Sequence, residues 1–212
     1  MNPASSTRVL IVDDHAMVRL ALAGAIEQQD DMELVGEAEN GARAVELYRE
    51  LRPDVATMDY KLPDHEGDEV IAKIIGEFPD ARILLLSIFE TEESLYRATE
   101  AGALGCVSKA AEIDEMIDGI RAVARGEPFF SDGLEGKLAD RRARDGLSPR
   151  ELDVLRQLIS GSSNKEIADA LNMAPSTVKH HLERVFAKLD AKDRTHAATI
   201  AMQRGIVRID DR

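Results

Sequence analysis

Short apolar runs alternate with segments of helical period through the first 125 residues. The runs are Val9 to Val12, Met32 to Val35, Val55 to Met58, Ile83 to Leu86 and Leu104 to Val107. Each is too short for a buried helix and is bounded by charge or turn residues, which predicts five β-strands. Between them, Val18, Leu22, Ala25 and Ile26, and later Ile113, Met116, Ile117, Ile120 and Ala124, recur at i, i+3/i+4 and predict amphipathic helices. Strands alternating with helices in this way imply an α/β fold: a five-stranded, parallel, doubly wound sheet of the flavodoxin-like kind, helices on both faces.

From Arg125 to Gly146 the pattern breaks. Four glycines, one proline and the charged stretch Lys137 to Asp145 read as a linker, with Phe129 and Phe130 docking on a domain surface. Beyond it four helical segments follow, Pro149 to Ile159, Asn164 to Leu171, Ser176 to Leu189 and Arg194 to Arg204, an all-α unit. The expected organisation is a domain over 1–125, a linker over 126–146 and a helical domain over 147–212.

Composition narrows the class. The chain has 212 residues, 44% hydrophobic and 32% charged, which suits packed cores; no apolar run approaches the ~20 residues of a membrane span. The start carries no basic-then-apolar leader, and the single cysteine, Cys106, allows no intrachain disulfide, so a cytoplasmic, non-membrane protein is expected. Net charge is −13, unevenly placed: residues 1–146 hold 16 basic and 31 acidic residues, and residues 147–212 hold 11 and 9. An acidic front half excludes nucleic-acid binding there, and a back half at +2 permits it only modestly.

In an open parallel sheet, ligands sit beyond the carboxyl ends of the strands. The polar residues there are Asp13 and Asp14, Asp59, Ser87 and Lys109. Crowded carboxylates repel one another unless a hard cation joins them, and oxygen ligands suit Mg²⁺. A lysine and a hydroxyl aimed at the same spot complement a phosphoryl group, so the set describes phosphoryl transfer to a carboxylate. Singly, Asp14 could be a helix cap, Asp59 a turn former and Lys109 a surface lysine.

In the back half, the turn Asn172 to Pro175 joins two helices at helix-turn-helix spacing. The second carries an apolar stripe, Val178, Leu182, Val185, Phe186 and Leu189, opposite Ser176, His180, Glu183, Arg184 and Ala187, with Lys179 on the flank. A recognition helix needs such a division. An ordinary amphipathic surface helix has it too.

Residues 8 to 125 resemble the receiver domain of two-component response regulators through Val-Asp-Asp-His at 12–15, Met-Asp-Tyr-Lys-Leu-Pro at 58–63, Gly67, Leu-Ser at 86–87 and Ser-Lys at 108–109. The resemblance implies that Asp59 accepts a phosphoryl group from a sensor histidine kinase. It also implies that Asp14, Asp59 and the carbonyl of Lys61 ligate Mg²⁺, with Asp13 acting through water, while Ser87 and Lys109 contact the phosphoryl oxygens. Apart from self-phosphorylation and autodephosphorylation, no enzyme activity is implied. An aspartate-nucleophile phosphatase would normally carry a second acid where Lys61 stands, and would leave the back half unexplained. Receivers usually have an aromatic residue three positions before the lysine. Here it is Cys106, which admits an alternative: a DNA-binding regulator whose receiver acts only as an interaction module, without phosphate. Phe89 and Lys61 lie where water would attack an acyl phosphate and are expected to affect its lifetime.

Residues 147 to 208 resemble the LuxR-type helix-turn-helix of NarL/FixJ regulators through Leu147 to Leu155, Gly161, Asn164 to Ala168, Ser176 to Lys179, His181 and Lys188-Leu189. By that resemblance Lys179, His180 and Glu183 face the major groove of double-stranded DNA. Ser163, Lys165, Ser176, Lys192 and Arg194 lie near phosphates, Thr177 and Arg184 join the DNA-binding set, and the last helix pairs two subunits of a homodimer formed on activation. A groove carboxylate can accept from cytosine N4, which makes Glu183 a candidate specificity element.

Overall fold

The computed structural model describes residues 6–88, 91–143 and 146–207. The chain forms two compact units, residues 1–90 with 94–138, and residues 139–212 with 91–93.

Up to residue 142 the chain forms β1 (Thr7–Val12), α1 (Ala16–Glu27), β2 (Met32–Ala38), α2 (Gly41–Leu51), β3 (Val55–Asp59), α3 (Gly67–Glu77), β4 (Ile83–Ser87), α4 (Glu92–Glu100), β5 (Gly105–Ser108), α5 (Ile113–Ala124), β6 (Phe129–Phe130) and α6 (Leu134–Arg142). Strand order is β2-β1-β3-β4-β5-β6, all parallel. The period of two in each strand sorts side chains between faces. Leu10, Val12, Ala56, Met58, Ile83, Leu85 and Cys106 pack with Val45, Tyr48, Ile71, Ile74 and Leu95 of α2, α3 and α4. Val9, Ile11, Val55, Leu84, Leu86 and Val107 pack on the other face with Leu22 and Ile26 of α1 and Met116, Ile117, Ile120 and Val123 of α5. Both faces are covered, so the strands read as near-continuous apolar runs.

The sheet has six strands where the sequence predicts five. Phe129 and Phe130 are too few to carry a period of their own, and they become a strand only because β5 offers them a partner edge. The segment expected to be a plain linker therefore begins as structure: β6 and α6 lie within it, and Leu134 and Leu138 are buried in the α2–α3–α4 side core.

The helical unit contains α7 (Pro149–Ile159), α8 (Asn164–Ala170), α9 (Pro175–Leu189) and α10 (Arg194–Gln203). Its core joins Val154, Leu155, Leu158, Ile167, Val178, Leu182, Val185, Leu189, Ala197 and Ala201. Ser148 and Ser163 each accept a hydrogen bond from the third helical residue, Glu151 and Glu166, whose carboxylates return to the serine N–H. These capping boxes satisfy orphan amide donors and fix where α7 and α8 begin. Pro175 at the first position of α9 starts the second helix of the pair. Among the described residues, no helix is long and apolar enough to cross a membrane.

Candidate functional site

Strands β1 and β3 are neighbours, while β2 lies on the far side of β1, so the sheet reverses its winding between them. A crevice at their carboxyl ends follows from that reversal. It receives Asp13 from β1 and Asp59 from β3, both buried, as is Ser87 from β4. Lys109 follows β5, its side chain 5% exposed, and its ammonium lies 2.6 Å from Asp13 Oδ2 and 2.7 Å from Asp59 Oδ2. The lysine N–H donates to the Ser87 carbonyl at 3.0 Å, tying the ends of β4 and β5 together.

Asp14 is exposed beside this pair, and its carboxylate lies 2.6 Å from His15 Nδ1. The other Asp13 oxygen accepts from the His15 N–H at 2.9 Å. Lys61 is exposed, and its N–H donates to Asp59 Oδ1 at 3.3 Å. The structure thus brings Asp13, Asp14, Asp59 and Lys109 together, with Ser87 buried at the end of β4 and Lys61 exposed next to Asp59. Phe89 lies outside the described residues.

Burial pushes the Asp59 carboxyl above the ordinary carboxylate range, against the pull of the Lys109 hydrogen bond and charge, and the Asp13 charge adds to the rise. The Asp59 loop is clamped at both ends. A Cβ on Gly67 would stand 2.5 Å from the Asp59 carbonyl oxygen, so this position admits no side chain without moving the backbone. The Asp64 carboxylate accepts from the N–H groups of Gly41 and Ala42 at 2.7 and 2.9 Å, at the start of α2. Those bonds and the neighbouring His65 hold the Asp64 carboxyl down at about 2, despite desolvation acting the other way.

Donor atoms of Asp13, Asp14, His15 and Asp59 lie within 4.8 Å of one another. One lysine balances one of three carboxylates, leaving two negative charges for a divalent cation. A donor set dominated by carboxylate oxygen fits Mg²⁺. His15 is the member that sequence reasoning left out, although it follows directly after the Asp-Asp pair.

In the helical unit, Ser176, Thr177, Lys179, His180 and Glu183 are exposed along one side of α9, opposite buried Val178, Leu182, Val185 and Leu189. Ser163, Lys165 and Lys192 are exposed as well. Two arginines of the expected set have internal partners. Arg194 donates to the carbonyls of Leu158 and Ser162 and to Asn164 Oδ1, fastening the α7–α8 turn. Arg184 Nε lies 3.1 Å from Glu151 Oε1. Glu151 is fully buried and also accepts from Lys188 Nζ and the Ser148 N–H, each at 2.8 Å. Those donors hold its carboxyl down at about 2 against the cost of burial. Sequence reasoning missed this residue. Its signal was the Ser148-x-x-Glu151 spacing of a capping box.

Residues 9–121 match the model of the response regulator receiver domain, and residues 145–201 match the luxR family of bacterial regulatory proteins. The chain belongs to the response-regulator family. A curated relative, the transcriptional regulatory protein LiaR of Bacillus subtilis, is 38% identical over 208 residues, covering 94% of this response regulator and 99% of LiaR. VraR of Staphylococcus aureus is 33% identical over 205 residues, 94% and 98% of the two chains. Among solved structures, the response regulator ChrA of a heme-sensing two-component system is 30% identical with a TM-score of 0.56, covering 96% of this chain and all of ChrA. This response regulator therefore pairs a receiver with a LuxR-type DNA-binding domain.

Proposed function

We propose that Asp59 accepts a phosphoryl group from the phosphohistidine of a sensor histidine kinase, and that the resulting acyl phosphate changes dimerisation and DNA binding of a cytoplasmic transcription regulator. The observation that carries this reading is the buried Lys109 ammonium held between Asp13 and Asp59. In the transfer, an Asp59 carboxylate oxygen bonds to phosphorus as the phosphorus–nitrogen bond of the donor breaks, and the imidazole leaves with its electron pair. Mg²⁺ held by Asp13, Asp14, Asp59 and the Lys61 carbonyl would supply charge neutralisation for the incoming phosphoryl oxygens. Lys109 pairs with the oxygens that develop charge, and the Ser87 hydroxyl donates to them. Burial keeps water from the acyl bond, whose lifetime Lys61 at the rim influences.

The phosphoacceptor role belongs to residues 1–125 and DNA binding to residues 147–212. On α9, Lys179, His180 and Glu183 enter the major groove, Ser176 lies near a phosphate, and Thr177 belongs to the same DNA-binding set. Ser163, Lys165 and Lys192 approach phosphates, and Arg184 and Arg194 add positive charge from positions fixed by their internal partners. Phosphorylation adds about −1.5 to −2 charges to an acidic half, so it does not raise DNA affinity by attraction. The switch acts by geometry: a DNA-binding unit at +2 holds DNA weakly alone, and two in a homodimer reach two half-sites.

Incubation with acetyl phosphate and Mg²⁺, followed by intact mass and sedimentation, tests the proposal. One added phosphoryl group and a shift to dimer are expected for the wild type, and neither for Asp59→Asn. A wild-type mass that does not change refutes phosphoacceptance and leaves the receiver as a phosphate-independent interaction module.

A further inference from the structure

Strand β6 is held closely for so short an element. A Cβ on Gly105 would lie 2.2 Å from the Phe129 carbonyl oxygen, and one on Gly119 would lie 3.1 Å from Phe129 Cδ1. Two positions without side chains, on β5 and α5, therefore make the room that lets β6 dock. The register sets Phe130 beside Cys106, and the Ser131 N–H donates to the Cys106 carbonyl at 3.0 Å.

The Ser131 hydroxyl is buried and makes two bonds. It accepts from the Ser108 N–H at 3.3 Å and donates to the Glu115 carboxylate of α5. Ser108 is covalently next to Lys109, whose ammonium bridges Asp13 and Asp59. A continuous path thus runs from that ammonium through Ser108 and Ser131 into α6. Cys106, buried and small, offers no ring to reorient; its partner in the β5–β6 register, Phe130, is an aromatic packed against the same core.

Resting on the reading of Asp59 as the phosphoacceptor, we infer that Ser131 is a positioning residue that ties β6 to the Lys109 end of β5. Release of that tie, in place of a moving side chain at position 106, carries the state of Asp59 into α6. A phosphoryl group on Asp59 gives the Lys109 ammonium a more highly charged partner than Asp13, and a shift of Lys109 moves Ser108 with it. At 3.3 Å the Ser108–Ser131 bond is already long, so a displacement of a few tenths of an ångström breaks it. What remains is the β5–β6 ladder with its flanking bonds, 3.0 Å from the Ser131 N–H to Cys106 and 3.4 Å from the Phe129 N–H to Leu104, and a two-residue edge strand without its hydroxyl tie to Ser108 opens more readily.

Amide hydrogen exchange of residues 129–131 in the full chain with Mg²⁺, before and after acetyl phosphate, tests this, with intact mass taken on each sample. For the wild type, exchange is expected to rise about tenfold on phosphorylation, the size that loss of about one hydrogen bond produces. Ser131→Ala should exchange rapidly in both states, with less than about a twofold difference between them on the same scale. Ser131→Thr, which keeps the hydroxyl, should retain the wild-type response. Wild-type protein that gains a phosphoryl group by mass yet shows unchanged exchange at 129–131 overturns the inference while leaving the phosphoacceptor intact. So does a Ser131→Ala variant with the full tenfold response. An unshifted wild-type mass overturns both.

Discussion

Replacing Glu151 by Gln keeps its volume and one oxygen acceptor for the Ser148 N–H, but removes the charge facing Arg184 and Lys188. In the native helical unit that carboxylate has no exposed surface, and its two cations come from the recognition-type helix α9. Its carboxyl is held at about 2 against an ordinary 4.5, a difference equivalent to about 3 kcal/mol of preference for the charged form in the folded state. Breaking a buried pair from one side costs about 3 to 5 kcal/mol. Here Arg184 is half exposed and Lys188 partly so, and both recover hydration, which brings the expected cost to about 2 to 3 kcal/mol. The sign with pH follows from the lowered value: the contribution is fully present above about 4.5 and is lost as pH falls from there towards 2. Urea unfolding of the full chain by circular dichroism at 222 nm follows both units, because the receiver carries helices too, and the transition of the helical unit is the one that tyrosine emission does not share. All three tyrosines, Tyr48, Tyr60 and Tyr96, lie in the receiver, so tyrosine fluorescence follows that unit separately in the same samples. Glu151→Gln should lower the helical transition by that amount at pH 7 and leave the tyrosine transition in place. A helical transition within about 0.5 kcal/mol of wild type, the range of an unremarkable surface change, would refute the assignment of Glu151 as the anchor of α9.

Gly67→Ala forces the Asp59 backbone to move and should slow phosphorylation from acetyl phosphate by about tenfold or more, since small misplacements of a reacting group are costly; a wild-type rate by intact mass would count against the clamp. Asp64→Ala removes the acceptor at the start of α2 and should destabilise the receiver by about 1 kcal/mol in urea. Because the Asp64 carboxyl is held at about 2 from an ordinary 3.8, that difference between variant and wild type should fade as pH drops below about 4. Glu183→Ala should relax base preference in a binding-site selection more than it lowers affinity, whereas Lys165→Ala should weaken all sequences about equally and reduce the salt slope by about one.

Periodicity alone reached most of the fold. The apolar runs of β1, β3, β4 and β5 and most of the stripes of α1, α5 and α9 are buried or half-buried where their spacing puts them, because a period of 2 or 3.6 gathers apolar residues on one face; Ile113, at the start of α5, is the exposed exception among these stripes. The candidate site was legible for a related reason. Asp59 and Ser87 end their strands and Asp13 and Lys109 directly follow theirs, and parallel strands deliver their carboxyl ends to one edge.

Other features depend on distant surfaces meeting, which no local pattern encodes. Phe129-Phe130 is a strand only because Gly105 and Gly119, far apart in the chain, leave a space that fits it. Glu151 looks like one more surface acid until α9 packs across α7 and brings Arg184 and Lys188 to it. The sequence by itself determined the two element patterns, the acidic strand ends and the helix-turn-helix spacing, because these arise from interactions among near neighbours. Only the tertiary structure decided the sixth strand, the tie from Ser108 to Ser131 and the ion cluster at Glu151. A hydrogen bond or ion pair between residues dozens of positions apart exists only once packing has brought them within about 3 Å.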